Sequence, residues 1–378
     1  MVFSSKLRTD WRIIQYEESN YEFWDRCSWP LIGMLREHIN QWASVMPVDN
    51  EFLGRIRTKK DTRQFSAGMF ELVFFTSCKR AGLPIERIAA GTRRTTDYTL
   101  NVDPSRPIFL ECTLVANALE NHDEQRRRSY IIQIIEDMAD FPYHVMVRFE
   151  QTGISTISKK IIRNVLQDFV GNESSIVIKE LEFVYKDWAF TFHFHPKKQL
   201  SDRTLGAISG FTNEVVDNKK TILAALNNKK PSSYQINQSP YVICLAVDDL
   251  SSELEEFAIA LLGDTHSKKI NLNYPSNAFF NNGPEPVNTS VSAVIFCKNI
   301  QPTSFTSTQI SVWHNPFAKN PIALDLFPFE QHYYKQERHY LHPYTIAGTF
   351  DVFETLGVDR ELYVEYLQLK YRTTPNEY

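Results

Sequence analysis

The segment Tyr241–Val247, Tyr-Val-Ile-Cys-Leu-Ala-Val, constrains the fold more than any other part of this sequence. It is nearly all apolar and has the length of a strand, and a strand of this kind is covered on both of its faces. Helix-like and strand-like patterns alternate along the rest of the chain, which supplies helices for both faces. We therefore predict an α/β fold with a mixed central sheet flanked by helices.

The overall charge excludes a generally basic surface. The chain carries 41 Lys and Arg residues against 45 Asp and Glu residues, a net charge of −4. A surface for a nucleic acid would therefore have to be a local patch. Short basic runs are available for one, and they include Lys159, Lys160, Arg163, Lys229 and Lys230.

Cysteine usage and the absence of apolar runs point to the cytoplasm. The five cysteines are widely spaced and contain no Cys-x-x-Cys motif, which is typical of reduced intracellular thiols. The first residues lack the apolar stretch of a signal peptide, and no apolar run is long enough to span a bilayer. We expect a cytoplasmic protein with no membrane partner.

Changes of pattern along the chain predict four regions. Residues 1–60 form a helical N-terminal region, and residues 61–118 with 201–330 form an α/β core. Residues 119–200, between these two stretches, form an α+β subregion, which the resemblance described below implies is inserted into the core, and residues 331–378 form an aromatic C-terminal tail.

Three carboxylates are candidates for one site. Glu71 interrupts the apolar helix predicted around residues 65–80, and a buried carboxylate needs a cation or a metal as partner. Asp97 lies in one predicted strand, and Glu111 lies in the next, where alternation places Thr113 on the same face. Carboxylates that converge at strand ends suit Mg²⁺ or Mn²⁺, so we predict Asp97 and Glu111 as metal ligands. The competing interpretation is an ion pair between Glu71 and Arg93 or Arg94.

This arrangement resembles the PD-(D/E)xK nuclease superfamily, which has the restriction-endonuclease-like fold. In that superfamily a helix glutamate precedes a hairpin with an aspartate, and the following strand carries Glu-x-Lys. Glu71, Asp97 and Glu111 match these positions, and Phe-Leu-Glu-Cys-Thr is similar to a segment of bacterial proteins that carry Glu-x-Thr. The resemblance implies a restriction-endonuclease-like core, with the strongest match over residues 65–116.

The sequence departs from the superfamily pattern where the lysine is expected. Thr113 takes that position, and threonine can position water but supplies no charge. Either the cation comes from elsewhere or the site is inactive. Lys219, on an apolar stripe with Val215, Ile222 and Leu226, is one candidate for the cation. The basic cluster Gln125–Arg128 is the other.

The resemblance implies a metal-dependent nuclease that hydrolyses DNA phosphodiesters with Glu71, Asp97, Glu111, Thr113 and a migrated cation such as Lys219. The alternative is an inactive protein of the same fold that binds nucleic acid or serves in an assembly. A third hypothesis makes the aromatic C-terminal tail a docking element for a partner or a second copy, which predicts a homodimer. A cation close to Glu111 would favour the enzyme, whereas an apolar neighbour would favour the inactive protein.

Overall fold

The computed structural model describes most of the chain in separate stretches. The described residues are 1–12, 14, 18–58, 62–88, 95–115, 122–138, 141–171, 179–197, 204, 206–208, 218–231, 236, 238–247, 254–263, 269–273, 276–283 and 285–372.

The helices are, in chain order, α1 (Asn20–Arg26), α2 (Pro30–Val45), α3 (Asn50–Ile56), α4 (Thr62–Arg80), α5 (His122–Glu136), α6 (Lys159–Gly171), α7 (Asn218–Asn227), α8 (Leu254–Leu262), α9 (Val352–Leu356) and α10 (Arg360–Arg372). The strands are β1 (Ile85–Arg87), β2 (Tyr98–Leu100), β3 (Ile108–Val115), β4 (Tyr143–Gln151), β5 (Lys179–Tyr185), β6 (Trp188–Pro196), β7 (Gly206–Ile208), β8 (Tyr241–Val247), β9 (Ile270–Asn271), β10 (Asn281–Asn282), β11 (Glu285–Pro286), β12 (Ala293–Lys298), β13 (Gln309–His314), β14 (Glu330–Glu337) and β15 (Tyr340–Ile346).

The chain divides into two compact units. The first consists of Met1–Asp10, Ser19–Asn117 and Asp217–Lys370, and the second consists of Trp11–Glu18, Ala118–Val216 and Tyr371–Tyr378. The central segment of the second unit extends beyond the inserted subregion predicted at residues 119–200. The predicted N-terminal region also divides between the units. Trp11–Glu18 belongs to the second unit, whereas α1, α2 and α3 pack into the core of the first unit.

A nine-stranded mixed sheet forms the centre of the first unit. Its strand order is β1-β2-β3-β8-β12-β13-β14-β15-β9. Strand β2 is antiparallel to both β1 and β3, whereas β8 is parallel to both β3 and β12. This sheet with its flanking helices confirms the predicted α/β class.

Strand β8 lies in the middle of this sheet, and both of its faces are covered. Each of its residues is at most 3% exposed. Val242 and Cys244 belong to the core cluster that contains α4, whereas Ile243 and Leu245 belong to the cluster that contains α7 and α8. The apolar sequence of this strand therefore follows from its burial on two sides.

The second unit has a smaller sheet of its own. Its strand order is β5-β6-β4-β7, with β4 antiparallel to β6 and parallel to β7. Buried residues of α5, α6, β4 and β6 form one aromatic-rich core in this unit.

The first part of the predicted aromatic tail belongs to the main sheet, and its later part forms α9 and α10. Strands β14 and β15 pair as an antiparallel hairpin, and β14 pairs in parallel with β13. Gln331 of β14 and Leu341 of β15 are buried while Tyr344 is exposed, so each strand of the hairpin contributes to the core and part of β15 faces solvent. Among the described residues, no helix is long and apolar enough to cross a membrane.

The crossing of α3 and α4 depends on Gly68. A Cβ atom at Gly68 would lie 2.5 Å from Cγ1 of the buried Ile56. We expect Gly68→Ala to destabilise the protein by about 1–3 kcal/mol, because overpacking of a core forces side chains and backbone to shift. Urea unfolding measures this change.

Gly54, in α3, is the matched control, since a Cβ atom there meets no other atom within 4 Å. Gly54→Ala should stabilise the protein by roughly 0.5–1 kcal/mol through the higher helix propensity of alanine. Equal effects of the two substitutions would contradict the close packing at Gly68.

Candidate active site

Glu111 lies at the centre of the candidate site, in the middle of β3. It is 4% exposed. Its neighbours Leu110 and Cys112 belong to the core cluster on the α4 side of the sheet, whereas Phe109 and Val115 pack on the opposite side. Since side chains alternate along a strand, Glu111 faces the side that α7 and α8 cover, as the sequence predicts.

The cation at Glu111 is Lys229. Its Nζ atom donates a hydrogen bond to Oε1 of Glu111. Lys229 follows the end of α7, and its backbone is held on both sides. Its N–H donates to the carbonyl of Leu226 at 3.1 Å, and its carbonyl accepts from the hydroxyl of the buried Tyr241 at 2.6 Å. Tyr241, the first residue of β8, thus fixes the backbone of Lys229 in a position from which its side chain reaches Glu111 on β3.

Lys219 lies in the first turn of the same helix. It is half-buried and shares a helix face with Ile222 and Leu226, while Val215 lies outside the described residues. Lys229 comes ten positions after Lys219, beyond the end of α7, and the eight positions from Lys219 to the helix end span about 12 Å along the axis. The structure therefore brings Lys229, and not Lys219, to Glu111.

The other predicted source of the cation lies in the second unit. Arg128 donates there to Thr152 at 2.7 Å and also to Glu124, so its guanidinium has partners within that unit. The side chains of Gln125 and Arg126 lie outside the described residues.

Sequence reasoning missed Lys229 because it follows the last residue of the helix. The spacing that predicted an inward side chain nevertheless continues to it, since Ile222, Leu226 and Lys229 are separated by four and three residues. A lysine in this position extends the apolar stripe of α7 by one more step. That continuation is the signal that could have identified Lys229.

Asp97 immediately precedes β2, and its carboxylate is attached to β3. The backbone N–H of Cys112 donates to Oδ2 of Asp97 at 2.7 Å. Tyr98 pairs with Leu110 across the two strands, so continuing this register by one residue places Asp97 beside Glu111. Asp97 and Glu111 are therefore brought together by the hairpin, as the sequence predicts.

The surroundings of Asp97 favour its protonated form. Burial, followed by the negative charges of Glu111 and Glu71, raises the pKa of Asp97 to about 7. The hydrogen bond from Cys112 and the positive charge of Lys229 act in the opposite direction. Burial is therefore the main cause of the raised pKa, and the two neighbouring carboxylates add to it.

Glu71 lies on α4 with both of its carboxylate oxygens bound. The Nη1 and Nη2 atoms of Arg55, on α3, donate to Oε1 and Oε2 of Glu71 at 2.8 Å each. This pair raises the pKa of Arg55, to which the charge of Asp97 also contributes. The predicted alternatives, Arg93 and Arg94, lie outside the described residues.

Thr113 is half-buried on the face of β3 that carries Glu111. It lies opposite Leu245 in the pairing of β3 with β8. Its hydroxyl can donate and accept hydrogen bonds but adds no charge to the site.

Among the described residues, the charges of the site do not cancel when every group is ionised. Lys229 and Arg55 contribute two positive charges, whereas Glu71, Asp97 and Glu111 contribute three negative charges. A proton on Asp97 balances this sum, which agrees with its raised pKa. A bound divalent cation would reverse the sign of the sum instead of cancelling it, and so it would leave positive charge for an anionic substrate.

No described group of three or more His, Cys, Asp or Glu side chains has the arrangement of a metal site. A metal at Asp97 and Glu111 would thus have two carboxylate ligands from the described residues. That number is compatible with Mg²⁺, which commonly keeps several waters and binds one or two carboxylates together with substrate phosphates.

Comparison of the chain with protein-family models, with curated proteins and with solved structures finds no match.

The raised pKa of Asp97 makes stability depend on pH. Between its unfolded pKa near 3.8 and its folded pKa of about 7, the folded protein retains a proton that the unfolded chain loses. The contribution of Asp97 to stability is therefore fully present below the lower value and is lost as the pH rises to the higher one. Asp97→Asn should remove this dependence, so the unfolding midpoint of the variant in urea should rise relative to wild type between pH 5 and pH 8. A difference that does not change over this range would contradict the pKa.

The ion pair between Arg55 and Glu71 gives a second prediction. Arg55→Met leaves the carboxylate of Glu71, a 7% exposed residue, without its bidentate partner. We expect a loss of about 3–5 kcal/mol in the free energy of unfolding.

The double variant Arg55→Met with Glu71→Met is the control, because it removes both charges and leaves apolar side chains in their place. It should regain most of the lost stability. If the double variant is as unstable as the single one, the loss of stability comes from the packing of Arg55 rather than from its charge.

Proposed function

We propose that this chain is a metal-dependent nuclease that hydrolyses DNA phosphodiesters at the site formed by Asp97 and Glu111. The contact between Lys229 and Glu111 carries the proposal. It supplies, from the end of α7, the positive charge that the sequence lacks at Thr113. A cation beside the glutamate is the feature that separates a competent site from an inactive one.

The order of elements around the site supports the same proposal. Helix α4 with Glu71 precedes the antiparallel strands β1, β2 and β3, and α7 then leads into β8, which is parallel to β3. The resemblance to the PD-(D/E)xK superfamily implies a helix glutamate, a hairpin aspartate and a strand glutamate in this order. A restriction-endonuclease-like core is therefore part of the proposal.

Mg²⁺ or Mn²⁺ fits the donors that the chain offers. Asp97 and Glu111 would hold the ion, since carboxylate oxygens are the ligands that these hard cations prefer. Glu111 and Glu71 add negative charge around the buried Asp97, and a divalent ion would offset it. The chemistry that such an ion supplies is the activation of water and the neutralisation of charge on the phosphate.

The residues of the chain have separate tasks in this proposal. Lys229 fixes the orientation of Glu111 and places a positive charge where the phosphate gains negative charge. Thr113, two residues further along β3, holds a water by a hydrogen bond. Glu71 is positioned by Arg55 and contributes negative charge near Asp97.

DNA is the proposed substrate because a phosphodiester combines a reacting phosphorus centre with a negative charge. Lys229 and Lys230 lie together at the end of α7, which provides local positive charge in a chain whose net charge is −4. Positive charge of this local kind is what binding to a phosphate backbone requires.

A second candidate function is favoured by the ion pairs themselves. Glu111 and Glu71 each contact a cation of the chain, so a proton on Asp97 is enough to balance the site without a metal. In that case the protein is an inactive member of the same fold that binds nucleic acid or serves in an assembly.

Cleavage assays with matched lysine variants test the proposal. Supercoiled plasmid, linear duplex and single-stranded DNA are incubated with Mg²⁺ or Mn²⁺. Lys229→Gln should lower the cleavage rate by about 100- to 1,000-fold, the range found when one group that stabilises transition-state charge is removed. Lys219→Gln, on the same helix, should cleave at nearly the wild-type rate, and Glu111→Gln should abolish cleavage.

If the wild type does not cleave any of these substrates, or if Glu111→Gln cleaves equally well, the nuclease proposal fails. Calorimetric titration with Mn²⁺ then tests the second candidate. Binding that is lost in Asp97→Asn supports the metal site, whereas absence of binding at millimolar Mn²⁺ supports the inactive protein.

A further inference from the structure

Strands β14 and β15 carry a strip of tyrosine rings and cations on one face, and part of this strip is exposed. Alternation along the paired strands puts the following residues on that face, which we name the hairpin face: Gln331, Tyr333, Lys335, Glu337, Tyr340, His342, Tyr344 and Ile346. Gln331 is buried and the rings of Tyr333, Tyr340 and His342 are half-buried, whereas Lys335, Glu337, Tyr344 and Ile346 are exposed. On the opposite face, Leu341 and Tyr334 pack in the core, whereas Gln336, Pro343 and Thr345 are exposed. We propose that the hairpin face binds single-stranded nucleic acid.

Two tyrosine rings of the strip are stacked on each other, and one of them is partly exposed. Tyr333 and Tyr344 are directly opposite each other, and their rings are stacked with centroids 5.3 Å apart and an angle of 19° between planes. Tyr344 remains 40% exposed, and Ile346 beside it is 43% exposed. The exposed part of the Tyr344 ring can therefore contact the flat surface of a nucleobase.

Cations accompany the rings along the strip. Nζ of Lys335 lies 4.9 Å from the ring centroid of Tyr344, and Nζ of Lys269 lies 3.9 Å from that of Tyr340. Arg338 lies in the turn that joins the strands, and its side chain is exposed. The hairpin face also carries one carboxylate, that of Glu337, which lies 3.7 Å from His342. The strip thus has three cations and one carboxylate. The charge of the strip is therefore complementary to a phosphate backbone.

The length of the strip and the nature of its groups favour a single strand. The seven residues of β15 extend over roughly 20 Å, which is room for a few consecutive nucleotides. Bases in a single strand expose their flat surfaces, whereas bases in a duplex are stacked on one another and cannot reach a tyrosine. A duplex would therefore contact the cations of the strip but not its tyrosine rings.

A protein partner fits this surface less well. A stable protein interface buries about 800 Å² on each partner around an apolar centre. The large apolar or aromatic side chains of the hairpin face with at least two-fifths of their surface exposed are Tyr344 and Ile346. The hairpin face thus has rings and positive charge but little apolar area.

The inference goes beyond the proposed nuclease activity, because it depends on groups that are not part of the carboxylate site. The test measures fluorescence anisotropy of a labelled 15-nucleotide single-stranded DNA with EDTA present, so that metal-dependent cleavage does not affect the result. Tyr344→Ala should weaken binding by about 5- to 150-fold, the equivalent of one lost base stack. Tyr344→Phe keeps the ring and should bind within about twofold of wild type.

Two further variants separate stacking from charge. Lys335→Gln should reduce the slope of log affinity against log salt concentration by about 0.7, the value for one phosphate contact on a single strand. Thr345→Ala is the matched control, since Thr345 neighbours Tyr344 and lies on the other face, where its hydroxyl contacts His332 at 3.3 Å. It should bind like wild type.

Binding of a single strand in preference to a duplex of equal length, with loss in Tyr344→Ala, supports the inference. Glu111→Gln should retain this binding even if it abolishes cleavage, so failure of the carboxylate site is distinguished from failure of the hairpin face. The inference is overturned if wild type does not bind the single strand, if it prefers the duplex, or if Tyr344→Ala binds equally well. It is also overturned if the protein forms dimers that Tyr344→Ala dissociates while DNA binding is absent.

Discussion

The burial of β8 on both faces is the constraint on which the first unit depends. This strand pairs in parallel with β3 and β12, and no residue of it is more than 3% exposed. A strand in this position requires a layer of helices on each side. Helix α4 belongs to one layer, and helices α7 and α8 belong to the other. Because β3 adjoins β8, both layers reach β3, and they bring Glu71 and Lys229 to the neighbourhood of Asp97 and Glu111.

Removal of carboxylates from water is costly, and the site meets this cost in three different ways. Glu71 has a bidentate arginine partner, and Glu111 has a lysine partner. Asp97 has a hydrogen bond from one backbone N–H, and a pKa near 7 allows it to hold a proton at neutral pH. Asp97 is therefore the carboxylate of this site that can gain or lose its proton near neutral pH. A proton and a divalent cation are therefore alternative partners for the same carboxylate.

The sequence identified the acidic residues more reliably than their partners. Alternation along β3 was enough to place Glu111 and Thr113 on one face, and the short hairpin was enough to bring Asp97 beside them. The partners came from positions that no local pattern indicated. Arg55 lies on α3, before α4, whereas the competing interpretation from the sequence pairs Glu71 with Arg93 or Arg94. Lys229 lies beyond the end of α7, where a basic pair is usually explained as a solvated helix end.

The C-terminal hairpin is a second case in which local sequence patterns did not indicate the tertiary contacts. Its tyrosines and histidines suggested an exposed tail, yet Gln331 and Leu341 are buried, and β14 extends the sheet beyond β13. Composition cannot reveal this, because pairing with β13 depends on a neighbour that is distant along the backbone. By itself the sequence determined the α/β class, the doubly covered strand and the facing of the acidic residues, since periodicity is a local property. Only the tertiary structure decided that Lys229 meets Glu111 and that Arg55 meets Glu71, because packing of whole helices against the sheet selects those pairs.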